Sequence, residues 1–193
     1  ADAVAHLNAA GIPLDAARKR ARRGRLHRVH RGVYAVGHSG LSPHGRWMAA
    51  VLAIGDDAVL SHRSAAELWG LLPFAAGVPH VTVPSGGGRS RRRGLALHRS
   101  RTLTPADCTR RLSIPVTTPT RTLLDLARGA SATELARARR QAEFLGLPLD
   151  EGRLDRGADG ATRGTRPASR ARSELEQRFL RLCRRHRLPL PEV

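Results

Sequence analysis

The chain has 193 residues with 34 Lys and Arg against 16 Asp and Glu, a formal net charge of +18 that points to a polyanionic partner. Aromatics are only 3% of residues, which argues against the base-stacking platforms of single-strand and RNA binders. No apolar run reaches the length of a membrane span and no secretory leader of recognisable form opens the chain, so a cytoplasmic protein with no membrane partner is expected.

Cys108 and Cys183 are far apart and form no CxxC pair, so neither a disulfide framework nor a zinc spacing is present; no metal and no cofactor is expected. All but one of the Lys and Arg residues are arginine, as a GC-rich genome would write, but codon bias does not explain the excess of cations over anions. That excess is patchy. Residues 1–34 carry eight basic and two acidic side chains, residues 35–88 two against three, and residues 89–128 ten against two.

In chain order, residues 1–10 read as the last turns of a helix closed by Gly11, and Ile12-Pro13 makes a short turn into a basic helix over residues 14–23. Leu14, Ala17 and Ala21 share one side of that helix and Lys19, Arg20 and Arg23 the other, so one face can pack while the other meets phosphate. Gly24 stops it. Residues 25–29 and 33–36 then read as two strands about a turn at Gly32, with Arg28, His30 and Arg31 at the tip. Helix, turn, helix and β-ribbon together outline a winged helix-turn-helix. Its contact candidates for duplex DNA are Lys19, Arg20, Arg22 and Arg23 on the helix and Arg25, Arg28 and Arg31 on the ribbon. Whether these arginines read guanine edges or hold phosphate stays open, and a solvated basic helix followed by an ordinary hairpin fits the same charge pattern.

Ser42-Pro43 is a cap-plus-proline helix start, leading through Trp47, Val51 and Ile54 to Gly55. A short strand over residues 58–60 precedes a second helix, in which Ser64 and Glu67 have capping-box spacing and Leu68, Trp69 and Leu71 point inward. His62 and Arg63, at its start, read first as a cap and a helix-dipole neighbour and second as ligand contacts. HVTVP over residues 80–84 and LALHR over residues 95–99 are strands by alternation; SGGGRSRRRG between them reads as a long hairpin tip. Its Arg89, Arg91, Arg92 and Arg93 either enter a minor groove or clamp a backbone, or belong to a solvated loop; both readings stand. A phosphate-cradling loop would need a lysine and Ser/Thr after the glycines, which are absent.

Ile114-Pro115-Val116 reads as a strand, and Thr118-Pro119 repeats the cap-plus-proline start for a helix on which Arg121 and Asp125 pair at four-residue spacing. Ser131 and Glu134 box the next helix, with Leu135, Ala138, Ala142 and Leu145 as its packing stripe. Residues 151–172, rich in Gly, Arg, Asp and Thr, read as a disordered linker, and residues 173–193 as one isolated amphipathic helix. The expected fold class is α+β: a winged helix-turn-helix over residues 1–36, a small α+β domain over 37–150, the linker, and the first helix of an incomplete third domain.

GRLHRVHRGVYAVG, LSHRSAAELWGLL, HVTVP and IPVTTPTRTLLDLA, in this order, resemble the bacterial AbiEi-type antitoxin and transcriptional-regulator family of type IV toxin-antitoxin systems, over roughly residues 1–148. The resemblance implies an N-terminal winged helix on operator DNA, an antitoxin-like α+β domain, and a cognate toxin as partner. RSELEQRFLRLCRRHRLPLPEV is similar to the opening of a very-short-patch-repair-like endonuclease domain of the PD-(D/E)xK type, and by that similarity Glu176 matches the first acidic residue of its metal site. The remaining acidic residues and the lysine are absent here, and Ser173 with Glu176 also forms a plain capping box, so no nuclease activity is expected of this chain. The alternative to a regulator or antitoxin is the DNA-targeting N-terminal part of such an endonuclease. A third reading, an RNA-associated basic protein, is weakened by the scarcity of aromatics.

Overall fold

A computed structural model of the chain describes residues 4–6, 11, 13–85 and 93–161. The elements are β1 (Val4–His6), α1 (Leu14–Arg22), β2 (Leu26–His30), β3 (Val33–Val36), α2 (Pro43–Ile54), β4 (Val59–Leu60), α3 (His62–Trp69), β5 (His80–Pro84), β6 (Ala96–Ser100), β7 (Cys108–Arg111), β8 (Ile114–Thr117), α4 (Pro119–Leu126), α5 (Ala132–Phe144) and α6 (Glu151–Ala161). Helices and two sheets make a mixed α and β architecture, one sheet ordered β1-β3-β2 and the other β6-β5-β4-β8-β7.

The small sheet is the platform for the basic helix. Gly24, at φ 70°, lets the chain leave α1 and enter β2 directly, and Gly32, at φ 82°, allows the two-residue turn Arg31-Gly32 between β2 and β3. Ala17 of α1, fully buried, packs with Leu26 and Tyr34 of the ribbon. Of the expected brace helix over residues 1–10, residues 4–6 are described, and there it is corrected to a strand: β1 pairs antiparallel with β3, with Ala5 opposite Tyr34. The alanine-rich composition favours helix only weakly, and pairing along the open edge of β3 overrides that preference. A strand, and not a first helix, therefore precedes α1 among the described residues.

The large sheet is mixed. β4 runs antiparallel to β5 and parallel to β8, while β7 runs antiparallel to β8. The expected hairpin between the HVTVP and LALHR strands is also corrected, because β5 and β6 are parallel, with Thr82 opposite His98. β7 is an element the sequence reading lacked, joined to β8 through Leu112 and Ser113, at φ 49° and 66°. Val81, Val83, Val116, Leu60 and Ile114 fill the core, and Trp69 donates its indole Nε1–H to the Thr117 carbonyl at 2.8 Å.

Helix starts follow the caps. The Ser42 hydroxyl accepts from the Gly45 amide at 3.2 Å, the Thr118 hydroxyl accepts from the Arg121 amide at 3.4 Å, and Ser131 with Glu134 forms the expected box. Ser64 is a correction: α3 begins at His62, and the Ser64 hydroxyl instead accepts the His80 amide at 3.0 Å. The packing stripe of α5 is narrower than expected, with Ala138 and Ala142 fully buried and Leu145 exposed. The linker expected to begin at residue 151 is corrected over its first part, where α6 forms instead. Asp150 caps it by accepting the Arg153 amide at 3.0 Å, and Leu154 is buried in the main core. Residues 162–172 and the expected helix over 173–193 lie outside the described residues. The expected boundary at 36/37 is crossed by packing, since Val33 of the ribbon shares a core with Ala49 and Ala53 of α2, and residues 1–154 form one compact unit.

Candidate functional site

Two features stand out, the outer side of α1 and a cleft on the large sheet. On α1, Asp15, Arg18, Lys19, Arg22 and Arg23 line a shallow depression of about 550 Å³. Their spacing is i, i+3, i+4, i+7 and i+8, one continuous stripe of a helix. Ala17 lies on the opposite side, held against the ribbon, so the packing that fixes α1 also turns this stripe outward. Lys19, Arg20 and Arg22 fall in the last turn, where the helix dipole favours cations. Arg18 and Asp15 approach to 3.6 Å, but both are exposed, so the pair offsets little of the surrounding positive charge.

Of the residues singled out from the sequence, Lys19, Arg22 and Arg23 lie together on this stripe, while Arg20 is exposed to one side of it. Arg25, Arg28 and Arg31 are exposed, with Arg31 in the ribbon turn and Arg28 further down β2, where the register slips between Arg28 and His30. Arg93 is exposed; Arg91, Arg92 and Glu176 lie outside the described residues. Arg18 was missed, although its spacing to Arg22 on one helix face was available to find it.

The second feature is a cleft of about 500 Å³ lined by β5 and β6, the start of α3, α4 and the turn after it. Alternation builds it. Val81 and Val83 of β5 face the core, so His80 and Thr82 face the other way and meet His98 and Ser100 of the parallel β6. His62 joins them from the start of α3, with its backbone at φ 49°. A non-glycine side chain in the left-handed region is uncommon; histidine adopts it more readily than most, and here the turn delivers its ring to the sheet. The His62 and His98 rings stack at 3.7 Å between centroids, and His80 Nδ1 lies 3.0 Å from His98 Nε2. His62 Nδ1 lies 3.0 Å from the Ser61 hydroxyl, which accepts in turn from the Thr82 hydroxyl at 2.7 Å.

The surroundings disfavour the charged form of all three rings. Burial is the largest influence on His62, followed by the neighbouring His98 and His80 and then Arg128 and Arg121, and together they push its pKa down to about 3. Burial lowers His80 and His98 as well. Arg63 reaches Glu67 at 3.1 Å and Glu134 at 2.8 Å. Below them Arg121, 4% exposed, donates to Asp125 at 2.9 Å, Asp107 at 3.2 Å, the Ser100 hydroxyl at 2.9 Å and the Thr102 carbonyl at 2.9 Å. The expected Arg121–Asp125 pair is thus present, but as a buried hub and not a surface pair. Burial pushes the Asp125 carboxyl up against the pull of Arg121, and its Oδ2 has no hydrogen-bond partner among the described residues.

From the sequence His62 reads first as a cap and second as a ligand contact, while His80 and His98 read only as strand residues. The signal that would have joined them is the polar side of two alternating strands, His80 and Thr82 on one and His98 and Ser100 on the other. Among the described residues no helix is long and apolar enough to cross a membrane. The family described as AbiEi antitoxin C-terminal domain matches residues 57–177, which takes in the cleft and the elements that frame it. No curated protein matches the chain.

Proposed function

The chain belongs to the AbiEi antitoxin C-terminal domain family, and from that premise we propose that it is an antitoxin-type regulator that binds duplex DNA through α1 and the β2–β3 ribbon. The observation that carries this reading is the outward stripe Arg18, Lys19, Arg22 and Arg23 on a helix clamped by its other side. A helix with its side chains is about 10–12 Å across and fits a major groove about 12 Å wide, and nine residues give it about 13 Å of length to lie along that groove. Arg25, Arg28 and Arg31 on the adjoining ribbon then fall where flanking phosphates run, and would orient the helix without reading bases. Arg91, Arg92 and Arg93 would supply further backbone contacts. The type IV assignment and a cognate toxin as partner follow from the antitoxin family, and rescue of growth from that toxin by co-expression is the corresponding test.

The DNA reading is tested with the full chain by fluorescence anisotropy on a duplex, measuring the association constant across a salt series. In the Lys19→Ala, Arg22→Ala, Arg23→Ala variant the slope of log K against log salt should shrink by about 0.9 for each phosphate left without its cation, a total between about 2 and 3. An unchanged slope removes α1 from the interface. Structured RNA outcompeting duplex DNA at moderate salt removes the duplex assignment altogether.

A further inference from the structure

We propose that His62, His80 and His98 form a three-imidazole site for a divalent transition-metal ion of the zinc class, with a fourth coordination position open to the cleft. One ring nitrogen from each histidine lies within 4.8 Å of the others. Zinc–nitrogen bonds of about 2.0–2.1 Å place tetrahedral ligands roughly 3.3 Å apart, and His80 Nδ1 and His98 Nε2 are already 3.0 Å apart. One of those two nitrogens carries the proton of their present contact. An ion entering between them requires that ring to hold its proton on its other nitrogen, which leaves both facing lone pairs free.

His62 is oriented for the third bond. Its Nδ1 is taken by the Ser61 hydroxyl, itself fixed by Thr82, which leaves Nε2 as the ligating nitrogen. With its Nδ1–H donated to the Ser61 oxygen, His62 keeps the lone pair on Nε2, and a hydrogen bond donated by the second ring nitrogen is how protein sites hold a metal-binding imidazole in place. The stacked His62 and His98 rings direct their lone pairs in parallel planes, so binding turns one ring about its soft χ2 torsion and breaks the stack.

Four arginines line the cleft, Arg63, Arg99, Arg121 and Arg128. Arg63 is matched by Glu67 and Glu134 and Arg121 by Asp107 and Asp125, so the opposing charge next to His62 is that of Arg128, which the three imidazole bonds must outweigh. Half-buried imidazoles whose charged form is disfavoured lose less on giving up a proton to a metal. An all-nitrogen donor set selects zinc, copper, nickel or cobalt and excludes calcium and magnesium, which require oxygen. Three protein ligands beside a cleft of about 500 Å³ give the open type of site, completed by water or an anion, and not the closed structural type with four. This inference does not depend on whether α1 holds DNA.

Cobalt(II) is the probe, titrated into the metal-stripped full chain, with zinc as competitor. One cobalt per chain should bind with the visible d–d bands of a four-coordinate ion, and zinc should displace it. The His80→Gln, His98→Gln variant should lose those bands, and Ser61→Ala should weaken binding about 10- to 100-fold. A six-coordinate spectrum, or equal binding by a double variant that keeps the wild-type circular dichroism, overturns the proposal, because the remaining histidines would then hold the ion. Should that variant fail to fold, proton NMR of the wild-type cobalt form decides: three ring N–H signals shifted by the paramagnetic ion support the site, and their absence refutes it.

Discussion

Arg121 shows how a single side chain joins the sheet, the α4 helix and the wall of the cleft. Its guanidinium is buried and donates to Asp107, Asp125, Ser100 and the Thr102 carbonyl, while Asp107, fully buried, also accepts from Arg153 at 2.6 Å and from the Thr104 amide at 3.1 Å. Burial alone would raise the Asp107 carboxyl, but the hydrogen bonds from Thr104 and Arg153 prevail and hold it below the usual carboxylate value. Removing the shared cation strands Asp125 where water cannot reach it and leaves Asp107 to Arg153 and Thr104 alone. Arg121→Met should therefore cost about 3–5 kcal/mol by the precedent of broken buried pairs, read as a lower urea midpoint at pH 7 with an unchanged slope. Arg121→Lys should recover little of it, since one ammonium cannot reach partners that the planar fork meets in separate directions. A loss below about 1 kcal/mol in the methionine variant would show that the cluster relaxes or admits water.

At the scale of elements, two stretches among the described residues carry the same S-x-x-E spacing and end in different roles. Ser131 is the N-cap of α5, its hydroxyl accepting the Glu134 amide at 3.2 Å, whereas Ser64 lies inside α3 and binds the His80 amide of a neighbouring strand. Ser131→Ala should cost about 1 kcal/mol and Ser131→Gly only a few tenths, because glycine is tolerated at an N-cap. Ser64→Gly should be worse than Ser64→Ala, because glycine adds the helix-interior penalty of about 1 kcal/mol to the missing hydrogen bond; chemical denaturation of the four variants measures both orders, and equal losses at Ser64 would contradict its assignment. The contrast also explains what could be read in advance. α2, α4 and α5 were legible because Ser42-Pro43, Thr118-Pro119 and Ser131 with Glu134 encode their starts within a few residues. β1, the parallel pairing of β5 with β6, and α6 were not, because each depends on a distant surface: the edge of β3, the polar side shared by Thr82 and His98, and the core that receives Leu154. The basic stripe was legible in most of its residues as helical spacing, while the histidine cleft required knowing which strands are neighbours.

For the whole molecule, acid should weaken the fold by two routes that salt can separate. The chain already carries a net charge of +18, so further protonation adds self-repulsion, and that contribution is screened as ionic strength rises. The cleft contributes differently. His62 has a folded pKa of about 3 against an ordinary value of 6.5, chiefly from burial, and His80 and His98 are lowered in the same direction; Arg128 and Arg121 face His62 from α4 and the turn that follows it. Between those two values the unfolded chain binds protons that the folded chain refuses, so this stability is fully present above about pH 6.5 and is lost as pH falls toward the folded value. Asp125, raised by burial, works the other way nearer its own range and blunts the slope at its acid end. With a chelator present, thermal melts should show Tm falling from pH 7.5 to pH 5, and high salt should recover only part of the fall, because desolvation of buried imidazoles is not screened. His62→Phe should flatten the part that salt leaves behind. Full recovery by salt, or an undiminished slope in that variant, would place the acid sensitivity in surface repulsion and not in the cleft.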